Sequence, residues 1–293
     1  MRLATIKLDG AEIATIVISK GLLPIAKVNE VLGKNWSSDM LEIIQSGQLE
    51  EIKAWYLADG KGQAEAMAGH AITKEAAIFA PLYRQPSKIW GIGLNYVDHA
   101  GDLAEKAPTV APASFCKFNT TIIGPGDEIK IPVQSQKTTG EAELAVIYGK
   151  KCKDVEQEDW LSVVAGFTTV IDMTAEDLLR VNPRYLTYTK NFDTFFSLGS
   201  ILVTPDEIED VMKLNVATVL NGEIYAQNVI SNMTFPPDYL ISFHSKVATM
   251  LPGDIISTGT PRAVHINDGD VVECRIDGFE SMTNPVVDLK INK

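Results

Sequence analysis

The chain has 293 residues, with 26 basic against 38 acidic side chains and a formal charge of −12, a length that suits about two domains and a sizeable core. At 45% hydrophobic and 22% charged it has ordinary globular composition rather than that of a disordered chain. The acidic surplus excludes the basic footprint of a nucleic-acid binder. Three widely spaced cysteines, Cys116, Cys152 and Cys274, offer neither a disulfide framework nor zinc spacing. The apolar stretch 161–171 is far short of the roughly 20 residues that span a bilayer. A reduced, cytoplasmic setting with no membrane partner is expected.

The N-terminus alternates around Asp9–Gly10 and reads as a β-hairpin rather than a signal peptide. Residues 37–47 predict a helix capped by Ser37 or Ser38, with Met40, Leu41, Ile43 and Ile44 as its apolar face and Gly47 as its stop. The next stretch, QLEEIKAWYLADGKG, predicts a second helix ending at a DG turn. No potentially catalytic cluster occurs here, so residues 1–84 are expected to form a small α/β accessory domain. From Pro81 onward short β-rich runs alternate with Gly/Pro punctuation, and LNGE signals a hairpin. TAEDLL and PPDYLISFHSKVATM read as helices. Many strands with few short helices predict an α+β, β-rich catalytic domain over 85–293.

Five strings could carry chemistry. In GEAELAVIYGK, Glu141 and Glu143 are two apart on a predicted strand and share a face. Adjacent carboxylates repel unless a cation or proton holds them, and hard Mg²⁺, Mn²⁺ or Ca²⁺ would do so; a solvated strand face would read the same. Asp172 ends an apolar strand ahead of a helix that Thr174 and Asp177 would open as an approximate capping box. It is either a cap residue or a third metal ligand. In GIGLNYVDHAGDLAE, the glycines and Asn95 imply a tight turn, and on a helix His99 and Asp102 would share a face, as a general base needs. Lys190 lies among aromatics, where burial would demand an anionic partner, unless it snorkels at the surface. In PGDIISTGTPRAV, Thr258 and Thr260 follow a strand and could hold an anionic oxygen, although a simple turn would look alike.

In this order the strings resemble the fumarylacetoacetate hydrolase family from about Lys88 to Met282. The resemblance rests on GLNYVDHA, P-x-x-F-x-K (Pro112 to Lys117), EAELAVIYGK, GFxxxxDMTAxD, KNFDT, NGE, LxPGDIIxTGTP and a closing GDVV. It implies a mixed β-sandwich roll, commonly homodimeric, that acts on small 1,3-diketo or related oxo acids. It implies that Glu141, Glu143 and Asp172 bind Mg²⁺ or Mn²⁺, with Ca²⁺ as a further candidate. It also implies that Lys190 and Thr260 contact substrate and that His99 lies on a mobile segment closing over the site. We assign Asn95 and Arg262 as further candidate substrate contacts.

The expected reaction is cleavage of a C–C bond in fumarylacetoacetate or an acylpyruvate. His99, oriented by Asp102 or Glu105, would activate water, and Lys190 would offset the developing negative charge. Oxo-acid decarboxylation or isomerisation is the alternative on the same fold, and a catalytically silent binding protein is the alternative outside it. Three positions depart from the family pattern TARD-x-Q and TGTPxGV: Glu176 stands in place of a basic residue, Leu179 of an amide and Ala263 of a glycine. Asp102 replaces the usual glutamate after the histidine. Arg180, Arg184 or Arg262 could restore a positive contact.

Overall fold

The computed structural model describes residues 1–96 and 108–291. Its strands in chain order are β1 (Arg2–Leu8), β2 (Ala11–Ile18), β3 (Gly21–Pro24), β4 (Ile78–Phe79), β5 (Ile89–Gly93), β6 (Ala113–Lys117), β7 (Ile122–Ile123), β8 (Ile129–Ile131) and β9 (Thr138–Tyr148). They continue with β10 (Val164–Ala175), β11 (Phe196–Leu198), β12 (Ile201–Val203), β13 (Asn215–Leu220), β14 (Glu223–Val229), β15 (Ile255–Ser257), β16 (Val264–His265), β17 (Val271–Ile276) and β18 (Met282–Asp288). The larger sheet runs β3-β2-β1-β12-β10-β9-β15-β5-β6, with β4, β7, β11 and β16 pairing off that path; the smaller runs β14-β13-β17-β18-β8. Both are mixed, because β15 pairs parallel to β5 and β18 parallel to β8.

The long central pair β9 and β10 explains the layering. Their side chains alternate between two buried faces. Ala142, Leu144, Val146, Phe167 and Ile171 pack against Val216, Val272 and Cys274 of the smaller sheet. On the opposite face, Ala145, Ile147 and Val170 join Ile43, Leu49 and Ile52 from the N-terminal helices. The first strands extend the larger sheet directly, since Leu3 pairs with Leu202. The N-terminal region and the rest of the chain therefore share one sheet and one hydrophobic cluster.

The N-terminal hairpin forms as predicted, but three local expectations change. The helix Met40–Gln45 is capped by Asp39, whose carboxylate accepts from Glu42 N at 2.8 Å. Ser37 instead supports that cap, accepting from Asp39 N at 3.0 Å. The DG dipeptide does not end the second helix: Gln48–Trp55 passes through a wide turn, Tyr56–Gly60, into Lys61–Ala66. Gly60 serves close packing rather than a turn, as a Cβ there would lie 2.5 Å from the Trp55 ring. Finally, Thr174 remains inside β10, and Ala175 precedes the helix Glu176–Val181 with no side-chain cap. Among the described residues no helix is long and apolar enough to cross a membrane.

Candidate metal centre

Register on β9 and β10 builds the site. Glu141 and Glu143 project from one face of β9, and Asp172 lies directly opposite Glu141 on β10. Directly opposed residues of an antiparallel pair share a face, so three carboxylates converge. One oxygen from each lies within 4.8 Å of the others, and all three residues are buried.

Two lysines and several neutral donors hold the cluster together. Lys190 Nζ donates to Glu141 Oε2 at 2.8 Å and to Asp172 Oδ2 at 2.6 Å. Its ammonium also lies 4.9 Å from the centre of the Phe115 ring, a favourable cation–π distance. Lys117, at the end of β6, reaches the other oxygen of Asp172 and donates to the Phe195 carbonyl at 2.6 Å. Glu141 Oε1 accepts from Thr174 Oγ1 at 2.6 Å, and Glu143 Oε2 accepts from Ser257 Oγ at 2.5 Å and Gly259 N at 2.9 Å.

Electrostatics at the three acids are tense. Burial, then the charges of Asp172 and Glu141, push the Glu143 carboxyl up to about 8 despite Lys190 and the Ser257 hydrogen bond. Burial also brings Lys117 down to about 8 against the pull of Asp172. For Lys190 burial again opposes the charge, but Asp172, Glu141 and Glu143 together outweigh it and hold its pKa above the ordinary value. A buried all-oxygen donor set in which burial first, and mutual repulsion second, favour a proton on one member fits a hard divalent cation, which would replace that proton.

Glu141 of the trio opens on a cavity of about 450 Å³. Glu141, Thr139, Thr174 and Lys190 line its inner end; Leu94, Ala113, Leu179, Pro183 and Leu186 give it an apolar wall; Glu176, Arg180 and Ala263 also face it. The departures at Glu176, Leu179 and Ala263 thus border this space. Leu94 adopts the left-handed region at φ +55°, the tight turn foreshadowed by the GIGLN string.

Not every sequence-predicted residue gathers here. Asn95 is buried, and its amide bridges backbone, donating to Thr258 O at 2.7 Å and Phe235 O at 2.9 Å and accepting from Phe235 N at 2.9 Å. Thr260 is also buried, with its hydroxyl 3.3 Å from Arg262 O, while the Arg262 guanidinium lies over the Tyr225 ring at 5.4 Å. None of these three forms the cavity wall. Thr258 donates both its N–H and its hydroxyl to Leu144 O, at 3.0 and 2.8 Å. His99, Asp102 and Glu105 lie outside the described residues.

Sequence reasoning gave Lys117, Ser257 and Thr174 no part in the site, reading Thr174 as a helix cap and Lys117 only as part of a motif. The signal for Lys117 was its spacing from Ala113 and Phe115 on one strand, which placed it on their face. Thr174 was hidden by its resemblance to a helix cap.

A two-sheet roll whose central strand pair carries three buried carboxylates beneath an oxo-acid-sized cavity defines a recognisable class of enzyme fold. Residues 88–287 match the family model described as fumarylacetoacetate (FAA) hydrolase C-terminal, and the chain belongs to this family. It is 39% identical over 221 residues to an oxaloacetate tautomerase of Xenopus laevis described as mitochondrial, covering 72% of this chain and 68% of that protein. The structure of maleylpyruvate hydrolase from Sphingobium sp. SYK-6 in complex with manganese(II) ion and pyruvate matches with a TM-score of 0.79 at 26% identity, over 98% of this chain and 99% of that one. The 5-carboxymethyl-2-hydroxymuconate delta-isomerase of Mycobacterium smegmatis gives 0.75 at 27%, again over 98% and 99%. Hydrolase, isomerase and tautomerase relatives share the architecture that the sequence motifs implied.

Proposed function

We propose that this chain is a divalent-metal-dependent enzyme that interconverts the keto and enol forms of a 2-oxo acid. The observation that carries the reading is the charge balance of the buried cluster. Three carboxylates face two ammonium groups, and the site approaches neutrality only because Glu143 holds a proton up to about 8. A bound divalent cation would displace that proton and leave one net positive charge, which suits an anionic oxo acid.

Glu141, Glu143 and Asp172 would hold Mg²⁺ or Mn²⁺, with Ca²⁺ also compatible. Bound there, the ion supplies Lewis acidity that favours the enolate form of a 2-oxo acid. The chain's own groups do the rest. Lys117 fixes Asp172 from behind, while Ser257 and Gly259 fix Glu143. Lys190 lines the cavity as a permanent ammonium and would stabilise negative charge developing on a substrate oxygen. Leu179, Pro183 and Leu186 give the substrate space an apolar wall. We assign His99, oriented by Asp102 or Glu105, to moving the proton at the carbon beside the oxo group. Relatives more than 30% identical over two-thirds of their length are described as oxaloacetate tautomerases, which supports this reaction.

A second reading, C–C hydrolysis of an acylpyruvate, is favoured by the His99–Asp102 spacing, because the same imidazole could activate water. We also propose that the protein works as a homodimer, which sedimentation would test. The deciding experiment follows oxaloacetate tautomerisation by enol absorbance, and pyruvate release from acylpyruvates, with Mg²⁺, Mn²⁺ or chelator. Metal-dependent tautomerisation is expected. Metal binding without metal-dependent turnover of either substrate would overturn the enzymatic reading.

A further inference from the structure

A second pair of reactive side chains lies on the far side of β6 from the cavity. Along that strand Ala113 and Phe115 line the cavity and Lys117 meets Asp172, so the alternating Ser114 and Cys116 face the other way. There Ser114 Oγ lies 2.8 Å from Nε2 of His244, in the helix Pro237–Val247. The other ring nitrogen, Nδ1, lies 2.8 Å from Leu240 O, one turn back in the same helix. A carbonyl oxygen can only accept, so Nδ1 carries a hydrogen. Burial holds the His244 pKa below its ordinary value, so at neutral pH the ring is uncharged and Nε2 presents a lone pair. The Ser114 hydroxyl therefore donates to it; the Pro112 carbonyl, at 3.4 Å, is the poorer acceptor. Packing fixes the ring as firmly as these bonds do. His244 is fully buried, with the Trp90 and Phe243 rings at 5.1 and 5.3 Å. Ser114 is half-buried on the last strand of the larger sheet, and Cys116 beside it is exposed.

From this geometry we infer that Ser114 is an activated nucleophile, an acyl-acceptor site separate from the metal centre, with His244 as its general base and the Leu240 carbonyl fixing the tautomer and aim of that base. The arrangement follows the logic of a serine–histidine–carboxylate triad, with a backbone carbonyl in the place of the carboxylate. A merely structural hydrogen bond could run in either direction. Here the Leu240 carbonyl dictates the tautomer, so the serine must donate, as a nucleophile about to lose its proton does. His244 also lies in the last turn of its helix, where the negative end of the dipole favours an imidazolium once the proton arrives. The co-reactant is an activated short-chain ester. Ser114 Oγ bonds to the carbonyl carbon as its proton passes to His244 Nε2. The bond from that carbon to the leaving alcohol then breaks, and the departing oxygen takes the proton from the imidazolium. An O-acyl serine, a free alcohol and a neutral imidazole remain. Cys116 is not the nucleophile, because burial raises its thiol above the ordinary value and keeps it protonated.

The test treats the full chain with p-nitrophenyl acetate and follows nitrophenolate release, intact mass and peptide mapping. The folded chain should gain one acetyl group on Ser114, and the chain unfolded in guanidinium chloride should gain none there. Ser114→Ala should abolish the adduct. His244→Gln should slow its formation at least about 100-fold, the lower end of what a positioned general base supplies. Cys116→Ser should acquire the Ser114 adduct at the wild-type rate, which separates the hydroxyl from the neighbouring thiol. Acetylation confined to Cys116 or to lysines, equal labelling of Ser114 in the folded and unfolded chains, or an unchanged rate in His244→Gln would each overturn the inference. The comparison of folded with unfolded wild type decides the matter even where His244→Gln does not fold. None of these readouts involves a metal or an oxo acid, so their outcome is independent of the enzymatic reading above.

Discussion

Lys117→Met offers the sharpest test of how the buried cluster is held together. The side chain of Lys117 is fully buried, pairs with an equally buried Asp172 and satisfies the Phe195 carbonyl. Breaking a buried ion pair by removing one partner costs about 3–5 kcal/mol; here Lys190 stays on the other Asp172 oxygen, so the Asp172 charge is only partly uncompensated. The orphaned Phe195 carbonyl accounts for about 1–3 kcal/mol of that loss. For a domain of this size, each kcal/mol shifts Tm by roughly 2–4 °C, so the metal-free variant should melt about 6–20 °C below wild type. A divalent cation would compensate Asp172 but could do nothing for the Phe195 carbonyl. Mn²⁺ should therefore recover about 2 kcal/mol of the difference between variant and wild type. By linkage the variant should bind Mn²⁺ about 10- to 30-fold more tightly. Melting curves of both proteins in chelator and in Mn²⁺, with calorimetric Mn²⁺ affinities at neutral pH, measure both effects. An equal loss of stability in the two conditions, or weaker Mn²⁺ binding, would show that Asp172 does not serve the cation.

Glu141→Gln and Asp172→Asn should each lower metal-dependent turnover at least about 100-fold, as loss of a metal's direct oxygen donor does; normal Mn²⁺ affinity in either would remove that residue from the ligand set. Because the Glu143 carboxyl sits near 8 without metal, loading at pH 7 should release nearly one proton. Affinity should rise with pH up to about 8 and level off above it, as calorimetry in buffers of different ionisation enthalpy would show. Burial lowers the pKa of His244 below its ordinary 6.5, so the unfolded chain binds the extra proton. The stability it contributes is present above about pH 6.5 and is lost as pH falls towards the folded-state pKa. Urea midpoints of wild type minus His244→Gln should narrow between pH 7 and pH 5, and a constant difference would refute the assignment. Gly259→Ala should cost about 1–3 kcal/mol, since the residue sits at φ +97° with a Cβ 2.8 Å from that of Asn95; Mn²⁺ affinity should fall with it, as its N–H holds Glu143.

How much of this was legible beforehand follows from which forces are local. Alternation exposed the pairing of Glu141 with Glu143 and the N-terminal hairpin, because both follow from a strand's period of two. The convergence of Asp172 was anticipated only as a strand end delivering a side chain; the register that sets it opposite Glu141 is a long-range choice. Lys190 was singled out because a lysine among aromatics needs an anion, and it found two. Lys117 obeyed the same logic less visibly, since its partners, on β10 and just ahead of β11, lie more than fifty residues away. The DG dipeptide misled for a different reason: Gly60 was selected by the Trp55 ring packed against it, which tertiary structure alone reveals. Thr174 satisfied a cap pattern, yet its hydroxyl is drawn to a buried carboxylate, the stronger acceptor at that position.

The net charge of −12 would seem to repel an oxo acid, but charge acts through its location. Most of the acidic surplus is solvent-screened and decays within about 8 Å at physiological ionic strength, whereas the cluster under the cavity is buried and far less screened. There the chain sets two lysines beside three acids, so that the protonated site is balanced and the folded protein tolerates the burial. Replacing the Glu143 proton with a divalent ion tips that balance to positive inside a low-dielectric cavity, where one charge attracts far more strongly than the exposed acids repel. The lysines therefore do two jobs: they make the empty cluster foldable, and they ensure that loading a cation creates attraction for an anion rather than mere neutrality. A chain with the three acids alone could bind the metal but would remain negative, and would hold its substrate poorly.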